Sequence, residues 1–231
     1  MDFEVLAWDS DLLGDAVGRI VPPSLDDGDV ARVISQLRSA GVRLAYWASA
    51  EEHDVDRIAT AGGTLVDRKI TYAVDLRLLD RSGAVTDRDI RPYASSMPVA
   101  DLESLSLQSG VYSRFAVDPR FPREKFVILY TRWIHACLAG DLAREILVAP
   151  VDARLAGMVT LGDKDGKGDI GLIAVDAKHR GQGLGERLVR AAQDWFRAHG
   201  YAHAQVVTQG QNIPACRLYA KCGYSVSKVE Y

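Results

Sequence analysis

Residues 176–185 read DAKHRGQGLG and join an apolar run at 170–175 to a predicted helix at 186–199. A strand that turns through glycines into a helix presents free backbone N–H groups at the positive end of the helix dipole, and that geometry binds phosphate. The three alternate glycines let the backbone approach an anion closely, and Arg180 adds a charge-assisted donor beside it. The motif therefore points first to a diphosphate ligand.

The spacing of the glycines distinguishes this motif from two common phosphate loops. A P-loop ends in Gly-Lys-Ser/Thr, and a dinucleotide-binding loop reads G-x-G-x-x-G in the opening βαβ unit. Here the glycines occupy every second position and lie in the last quarter of the chain, so an ordinary strand-to-helix turn is the remaining structural alternative. Arg180, Gly183 and Gly185 match Arg/Gln-x-x-Gly-x-Gly/Ala, which resembles the coenzyme A pyrophosphate loop of the GNAT superfamily of acyl-CoA-dependent N-acyltransferases.

A second motif follows one predicted strand later. Residues 201–208 read as a strand and 213–221 as a short helix, with Asn212 placed as its N-cap. The series Asn212, Ala215, Tyr219, Gly223, Tyr224 resembles the last block of the same superfamily. The resemblance implies that Asn212 contacts the pantetheine or substrate side and that Tyr219 reaches the thioester sulfur. We predict these two as catalytic residues.

The resemblance implies acetyl-CoA as the donor substrate, held by backbone and side chains of one sheet edge. Irregular strand pairing at 172–175 is expected to free N–H groups that stabilise the oxyanion. A phenol with a pKa near 10 is a weaker acid than a thiol near 8.5, which favours hydrogen bonding by Tyr219 over full proton transfer; packing is its structural alternative. No general base is identified. The predicted acetyl-CoA contacts are Leu172, Ile173, Ala174, Val175, Arg180, Gly181, Gln182, Gly183, Leu184, Gly185, Asn212 and Tyr219.

The predicted fold class is α/β (α+β), a GNAT fold with a mixed central sheet flanked by helices and a smaller N-terminal α/β domain. The chain has 231 residues, of which 48% are hydrophobic, enough for a substantial core. Segment 79–86 contains Gly83 and little apolar content, so we place a boundary there between domains 1–80 and 87–231. Predicted strands are 3–8, 17–21, 44–48, 64–76, 90–93, 145–151, 155–161 and 169–175, with helices at 29–40, 51–61, 99–107 and 124–138.

One aromatic stripe has helical spacing. Phe126, Tyr130, Trp133 and Cys137 follow one another at intervals of four, three and four, so they share a helix face. Such a stripe is more typical of a buried core than of a ligand site.

A closer resemblance concerns the acceptor. Residues 6–14, 113–115 and the helix ending in Tyr130–Trp133 resemble the TDP-fucosamine acetyltransferases, which act on 4-amino-4,6-dideoxy nucleotide sugars. The resemblance implies that the N-terminal unit and loop 108–123 help to form the acceptor pocket. The predicted substrate-binding residues are Trp8, Ser113, Arg114 and Phe115. The alternatives are packing for Trp8 at a strand end and a solvated connection for the cationic loop. Against this family, the chain stops at Tyr231, partway through the last strand pair, so a short final edge is expected.

Composition limits the other function classes. A net charge of −3 and a pI near 6.0 predict no nucleic-acid partner. No signal peptide and no apolar run near 18 residues are present, so we expect a cytoplasmic protein without membrane contact. Three cysteines without CxxC spacing read as reduced thiols, and the five scattered histidines predict no metal.

The predicted function is transfer of an acetyl group from acetyl-CoA to the amine of a nucleotide-linked amino sugar, a TDP-4-amino-4,6-dideoxyhexose, in the supply of a glycan precursor. Two alternatives remain open: an acetyltransferase of another small amine, such as an antibiotic or an amino acid, and a catalytically silent acyl-CoA-binding module. Whether the protein forms a homodimer is also left open.

Overall fold

The computed structural model describes residues 2–79 and 89–231. The chain forms two compact units, one of residues up to 69 together with 228–231, and one of residues 70–227. The predicted boundary at 79–86 falls almost entirely on residues 80–88, which lie outside the described residues. The division into domains 1–80 and 87–231 therefore stays a prediction.

The first unit is a three-stranded sheet with helices. Its sheet has the order β1-β2-β3, with β1 antiparallel and β3 parallel to β2. Its small core gathers apolar side chains of β2, the loop after it and α2, namely Ile20, Leu25, Val30, Val33 and Leu37. The elements are β1 (Phe3–Val5), α1 (Ala7–Leu13), β2 (Val17–Ile20), α2 (Asp27–Ser39), β3 (Leu44–Trp47) and α3 (Asp54–Thr60).

Helix α1 corrects the predicted strand 3–8. The strand ends at Val5, and Trp8 lies on the helix rather than at a strand end. The Ser10 hydroxyl donates to the Leu6 carbonyl (2.7 Å) and accepts from the Val17 N–H (2.9 Å), which ties the helix to β2. The alternation of residues 3–8 was too short to reveal this competing side-chain-to-backbone bonding.

The second unit is built on a seven-stranded mixed sheet of order β10-β4-β9-β8-β7-β6-β5. Strands β5 to β8 are antiparallel neighbours, and β8 and β9 are parallel. The predicted mixed sheet flanked by helices is confirmed. The elements are β4 (Lys69–Asp75), β5 (Arg91–Pro92), α4 (Val99–Ser109), α5 (Arg114–Val117), α6 (Arg123–Ala139), β6 (Glu145–Val151), β7 (Arg154–Lys164), β8 (Lys167–Val175), α7 (Leu184–Ala198), β9 (His203–Gln209), α8 (Ile213–Lys221) and β10 (Ser225–Glu230).

Strand β4 belongs to a different part of the fold from the one predicted. The sequence placed it with the N-terminal unit, whereas it lies between β10 and β9 in the large sheet. Its alternate residues Ile70, Tyr72 and Val74 are buried. The alternation of apolar and polar residues predicts a strand and its buried face, but it does not identify the strand that pairs with it. The final edge strand of the sheet is β10, which pairs with β4.

Helix α7 packs against the sheet through an apolar face. Leu188, Val189, Ala192 and Phe196 are fully buried in the main core. A Cβ built on Gly168 of β8 would lie 2.4 Å from the Phe196 ring, so only glycine permits this close approach. The helix is thereby held against the strand that leads into its own N-terminal turn.

Helix α4 is anchored to β7 by one carboxylate. Asp101 accepts from the Arg154 Nε (2.8 Å) and from the Leu155 backbone N–H (2.8 Å). The hydrogen bond from Arg154 is the main cause that lowers the pKa of Asp101. This anchor sets the position of the helix whose last turn carries Gln108 and Ser109.

Candidate functional site

The candidate site is a cleft where two parallel strands part. Strands β8 and β9 pair from Gly168 with Ala204 to Ile170 with Val206. Both strands continue beyond that point, to Val175 and to Gln209. A cavity of about 430 Å³ opens there, and both strands line it.

A β-bulge shapes the β8 side of the cleft. Val159 stands opposite Ile173 and Leu161 opposite Ile170, so two residues of β8 face one residue of β7. The Leu172 N–H donates to the Thr160 hydroxyl (2.8 Å) inside this bulge. The irregular pairing expected at 172–175 lies instead at residues 171–172, because Ile173, Ala174 and Val175 pair in regular register with β7. No pattern in the sequence marked Thr160, whose hydroxyl accepts this hydrogen bond.

The backbone of β8 presents donors to the cleft. The N–H groups of Leu172 and Asp176 point toward β7, where Thr160 and Ala156 accept them at 2.8 Å each. Successive N–H groups of a strand point to opposite sides, so those of Ile173 and Val175 face away from β7, toward the cleft. Such a pair of donors is the arrangement that stabilises a developing oxyanion.

The glycine turn forms one end of the cavity. Gly181 and Gly183 both have φ 78°, a conformation that favours glycine, and Gly183 is the N-cap of α7. A Cβ on Gly183 would meet no atom within 4 Å, which places that face of the turn in open space. The first N–H groups of this helix of 15 residues have no helical acceptor and carry the positive end of its dipole. The turn fits the diphosphate of acetyl-CoA on these grounds.

Gln108 at the end of α4 holds this turn in place. Its side-chain oxygen accepts from the Ala177 N–H (3.1 Å) and from Arg180 Nη2 (3.3 Å), and its amide nitrogen donates to Asp176 (3.1 Å). Arg180 also donates through Nε to the Val175 carbonyl (3.0 Å). Arg180 therefore braces the turn as well as contributing charge. No motif in the sequence marked Gln108.

Helix α8 carries the two predicted catalytic residues. The Asn212 side-chain oxygen caps the helix by accepting from the Ala215 N–H (3.3 Å), which leaves its amide N–H groups for a ligand. Tyr219 lies two turns further on, lines the same cavity and is 2% exposed. Burial raises the pKa of Tyr219, so its hydroxyl stays protonated at neutral pH.

The wall supplied by α4 and α6 is aromatic. Tyr130 and Trp133 line the cavity, with ring centroids 5.7 Å apart and planes inclined by 24°. Phe126, Tyr130 and Cys137 of the aromatic stripe are buried as predicted, whereas Trp133 is only partly buried. Tyr130 and Trp133 also form part of the cavity wall. Helical spacing alone does not separate these two environments.

The structure brings most of the predicted donor contacts together. All of them line the cavity except Ala174 and Gln182. Ala174 is buried opposite Met158 of β7, and Gln182 lines a neighbouring cavity of about 120 Å³ that shares His179 and Leu184 with the first. The binding roles of these residues stay predictions.

The predicted acceptor residues are distributed differently. Trp8 lies on α1 of the first unit, about half exposed. The Ser113 hydroxyl donates to the Gly110 carbonyl (2.7 Å), and the Arg114 guanidinium lies over the Phe115 ring at 4.3 Å. These three residues of the 113–115 segment are not on the cavity wall, although Tyr112, directly before them, is.

The ionisable side chains on the described part of the cavity wall include basic groups but no carboxylate. His179 and Arg180 are its basic side chains, and no Asp or Glu lines it within the part of the chain that the structure describes. Across residues 2–79 and 89–231, no three His, Cys, Asp or Glu side chains form a group that could hold a metal ion. Nor does any helix in those ranges combine the length and apolarity needed to cross a bilayer.

Comparison with known proteins places this site in a family. Residues 109–224 match the acetyltransferase (GNAT) family, half of the chain, and the protein belongs to it. The chain is 32% identical over 81 residues to streptothricin acetyltransferase of Escherichia coli, covering 35% of this chain and 47% of that protein. It is 33% identical over 60 residues to mycothiol acetyltransferase of Corynebacterium glutamicum (strain R), covering 26% and 20%.

A solved structure extends the likeness in fold beyond the family segment. A conserved protein of unknown function from Staphylococcus epidermidis superimposes with a TM-score of 0.63 at 17% identity, covering 94% of this chain and 82% of that one. At that identity the likeness concerns the fold alone. The chain spans about half or less of the length of the two curated relatives named above.

Proposed function

We propose that this protein transfers an acetyl group from acetyl-CoA to the amine of a small molecule. The observation that carries the proposal is the convergence of three features on one cavity: the N–H groups of Ile173 and Val175, the glycine turn at the start of α7, and the Tyr219 side chain. Together they meet two requirements of thioester aminolysis.

The first requirement is to hold the donor. The open face of Gly183 and the free N–H groups of α7 suit a diphosphate, and the Asn212 amide suits the polar groups of a pantetheine arm. Bound acetyl-CoA supplies a thioester whose carbonyl carbon can be attacked by an amine. The chain contributes position and hydrogen-bond donors.

The second requirement is to stabilise charge during the reaction. The neutral amine nitrogen forms the new bond to the carbonyl carbon and the carbon–sulfur bond breaks to release a thiolate. The proton that the nitrogen loses passes through solvent to the thiolate, which leaves as the thiol. The Ile173 and Val175 N–H groups donate to the oxygen, which becomes negative in the transition state. The protonated Tyr219 hydroxyl donates to the departing sulfur.

For the acceptor, we propose a nucleotide-linked amino sugar of the TDP-4-amino-4,6-dideoxyhexose type. The resemblance of residues 6–14 and 113–115 supports it, and a cavity wall that has no carboxylate among its described residues suits an acceptor with an anionic nucleotide. In this arrangement the sugar lies in the cavity and the diphosphate extends past Tyr112 toward Arg114. Trp8, Ser113 and Phe115 remain predicted contacts.

A second acceptor class is favoured by the named relatives. Streptothricin acetyltransferase and mycothiol acetyltransferase act, by their names, on small molecules other than nucleotide sugars. The competing proposal is therefore an acetyltransferase of another small amine. It requires the same donor machinery.

The test measures thiol release from acetyl-CoA with a TDP-linked amino sugar, its UDP-linked counterpart and the free amino sugar. We expect kcat/KM to be highest for the TDP-linked sugar, because binding energy from the remote nucleotide positions the amine. Arg114→Ala should raise the KM of the TDP-linked sugar by about one to two decades and leave that of acetyl-CoA unchanged.

Three other outcomes are informative. Equal kcat/KM for the three sugars would favour the small-amine proposal. Acetyl-CoA binding without thiol release for any amine would indicate a silent binding module. An unchanged KM in Arg114→Ala would remove Arg114 from the acceptor site.

A further inference from the structure

We propose that the acceptor binds as a single amine carried on a ring that stacks on Trp133, and that polycationic amines are poor substrates. This inference rests on the proposed acetyltransferase function and narrows its substrate class. Two independent features of the cavity carry it: the aromatic wall, and a described lining that contains no carboxylate.

The aromatic wall is held rigidly. Trp133 stacks on Tyr130, and Tyr130 in turn packs against Phe126 at 4.8 Å between centroids. A Cβ on Gly110 would lie 2.2 Å from the Tyr130 ring, so the backbone after α4 presses directly on that ring. Trp133 therefore has little freedom to change its orientation when a ligand arrives. A fixed indole face favours a flat or ring-shaped partner, because little entropy is lost on stacking.

The indole also retains a polar group for a ligand. Trp133 is only partly buried, and its Nε1–H has no acceptor among the residues that the structure describes. A hydroxyl of a sugar ring would accept this hydrogen bond while the ring lies on the indole face. An acyclic alkylamine offers neither interaction.

The charges of the wall limit the number of cations on the acceptor. Because no carboxylate lies on the described wall, each additional ammonium group of the acceptor would lose hydration without gaining a partner there. The reacting nitrogen avoids this penalty because it enters the reaction as a neutral amine. Ring monoamines therefore satisfy both features, and anionic groups on the same ring are tolerated.

The experiment compares four acceptors by thiol release: a TDP-linked amino sugar, a free amino sugar, an acyclic amino alcohol of similar size and an aminoglycoside with several ammonium groups. We expect at least a tenfold higher kcat/KM for one of the two ring monoamines than for the other two amines. Trp133→Leu should raise the KM of the preferred ring amine about tenfold, and Trp133→Phe much less, with the KM of acetyl-CoA unchanged in both.

Ile128→Ala is the matched control, since this α6 side chain is exposed and away from the cavity wall. Fastest turnover of the aminoglycoside or the acyclic amine, or a ring-amine KM unaffected by Trp133→Leu, would overturn the inference while leaving acetyl transfer established. Absence of thiol release with all four amines, despite acetyl-CoA binding by calorimetry, would overturn the proposed function and with it the inference.

Discussion

The two sides of the cavity differ in composition, because backbone groups form most of one side and side chains form the other. The donor side consists mainly of backbone: the bulge and N–H groups of β8, two glycines with positive φ, and the first turn of α7. The side that we propose for the acceptor consists of side chains, among them Tyr130 and Trp133 of α6. The donor side therefore requires particular residues at particular positions, whereas the acceptor side can be assembled from many residue types.

This difference explains what a sequence reveals. A positive φ or a close approach restricts a position to glycine, and such restrictions remain visible as a motif. Which side chains form a wall depends on which helix packs against the sheet. No local sequence pattern predicts that packing. The following substitutions test whether the two sides are separate in function.

Gly183→Val should have the largest effect. A branched side chain is strained at φ 78° and would project into the space expected for the diphosphate, so the Kd of acetyl-CoA should rise by about 100-fold or more. Calorimetry measures it. Gly166→Val is the matched control, because Gly166 has a similar φ of 73° and an equally open Cβ direction in the β7–β8 turn. Unaltered acetyl-CoA affinity in a folded Gly183→Val protein would exclude the turn as the donor site.

Tyr219→Phe should lower kcat by about 10² with little change in either KM, because its hydroxyl acts mainly in the transition state. Burial raises the pKa of Tyr219, so the donor should persist to above pH 10, and kcat should show no loss from this group on the alkaline side below that value. Tyr224→Phe is the control: burial raises the pKa of Tyr224 as well, and this side chain does not line the cavity. A near-normal kcat with a lower Tm in Tyr219→Phe would assign the ring to packing.

Gln108→Leu tests whether α4 contributes to acetyl-CoA binding. Gln108 lies on α4, but its side chain bonds to the turn on the donor side. The substitution removes three hydrogen bonds to the turn at 176–180, so the KM of acetyl-CoA should rise by about three- to tenfold. Steady-state kinetics with acetyl-CoA varied provides the measurement. Glu103→Gln, on the same helix and paired with His135 at the surface, should change neither KM. A rise only in the acceptor KM would place Gln108 on the acceptor side alone.

Asp101→Asn should have the smallest effect on activity and act on stability. The amide can still accept from the Leu155 N–H but loses the charged bond to Arg154, and we expect the Tm to fall by about 2–5 °C. The pKa of Asp101 is lowered in the folded state, so its contribution is present above the ordinary value of about 3.9 and is lost as the pH falls through the lower folded value. The Tm difference from the unsubstituted protein should therefore shrink below about pH 4. A difference independent of pH would contradict this account.

The sequence predicted the donor side because its constraints are local. The turn at 180–185, the cap at Asn212 and helix α8 at 213–221 all appear in the structure where their residue types require them. The acceptor side and the sheet order depended on distant contacts. The core interpretation of the aromatic stripe did not reveal that Tyr130 and Trp133 line the cavity, no pattern marked Gln108 or Thr160, and β4 lies in the large sheet rather than with the N-terminal unit. Periodicity shows that a residue is covered, but it does not identify the element that covers it.

The inner position of β4 has a consequence for the time course of folding. More than one hundred residues separate Asp75, where this strand ends, from His203, where its neighbour β9 begins. During synthesis β4 emerges early and finds no partner until β9 and β10 have left the ribosome. Contacts of such high sequence separation form slowly, and an unpaired strand edge invites pairing with other chains. The sheet that carries the cleft is therefore completed only after β9 and β10 have been synthesised, and the interval before that is when the nascent protein is most exposed to aggregation.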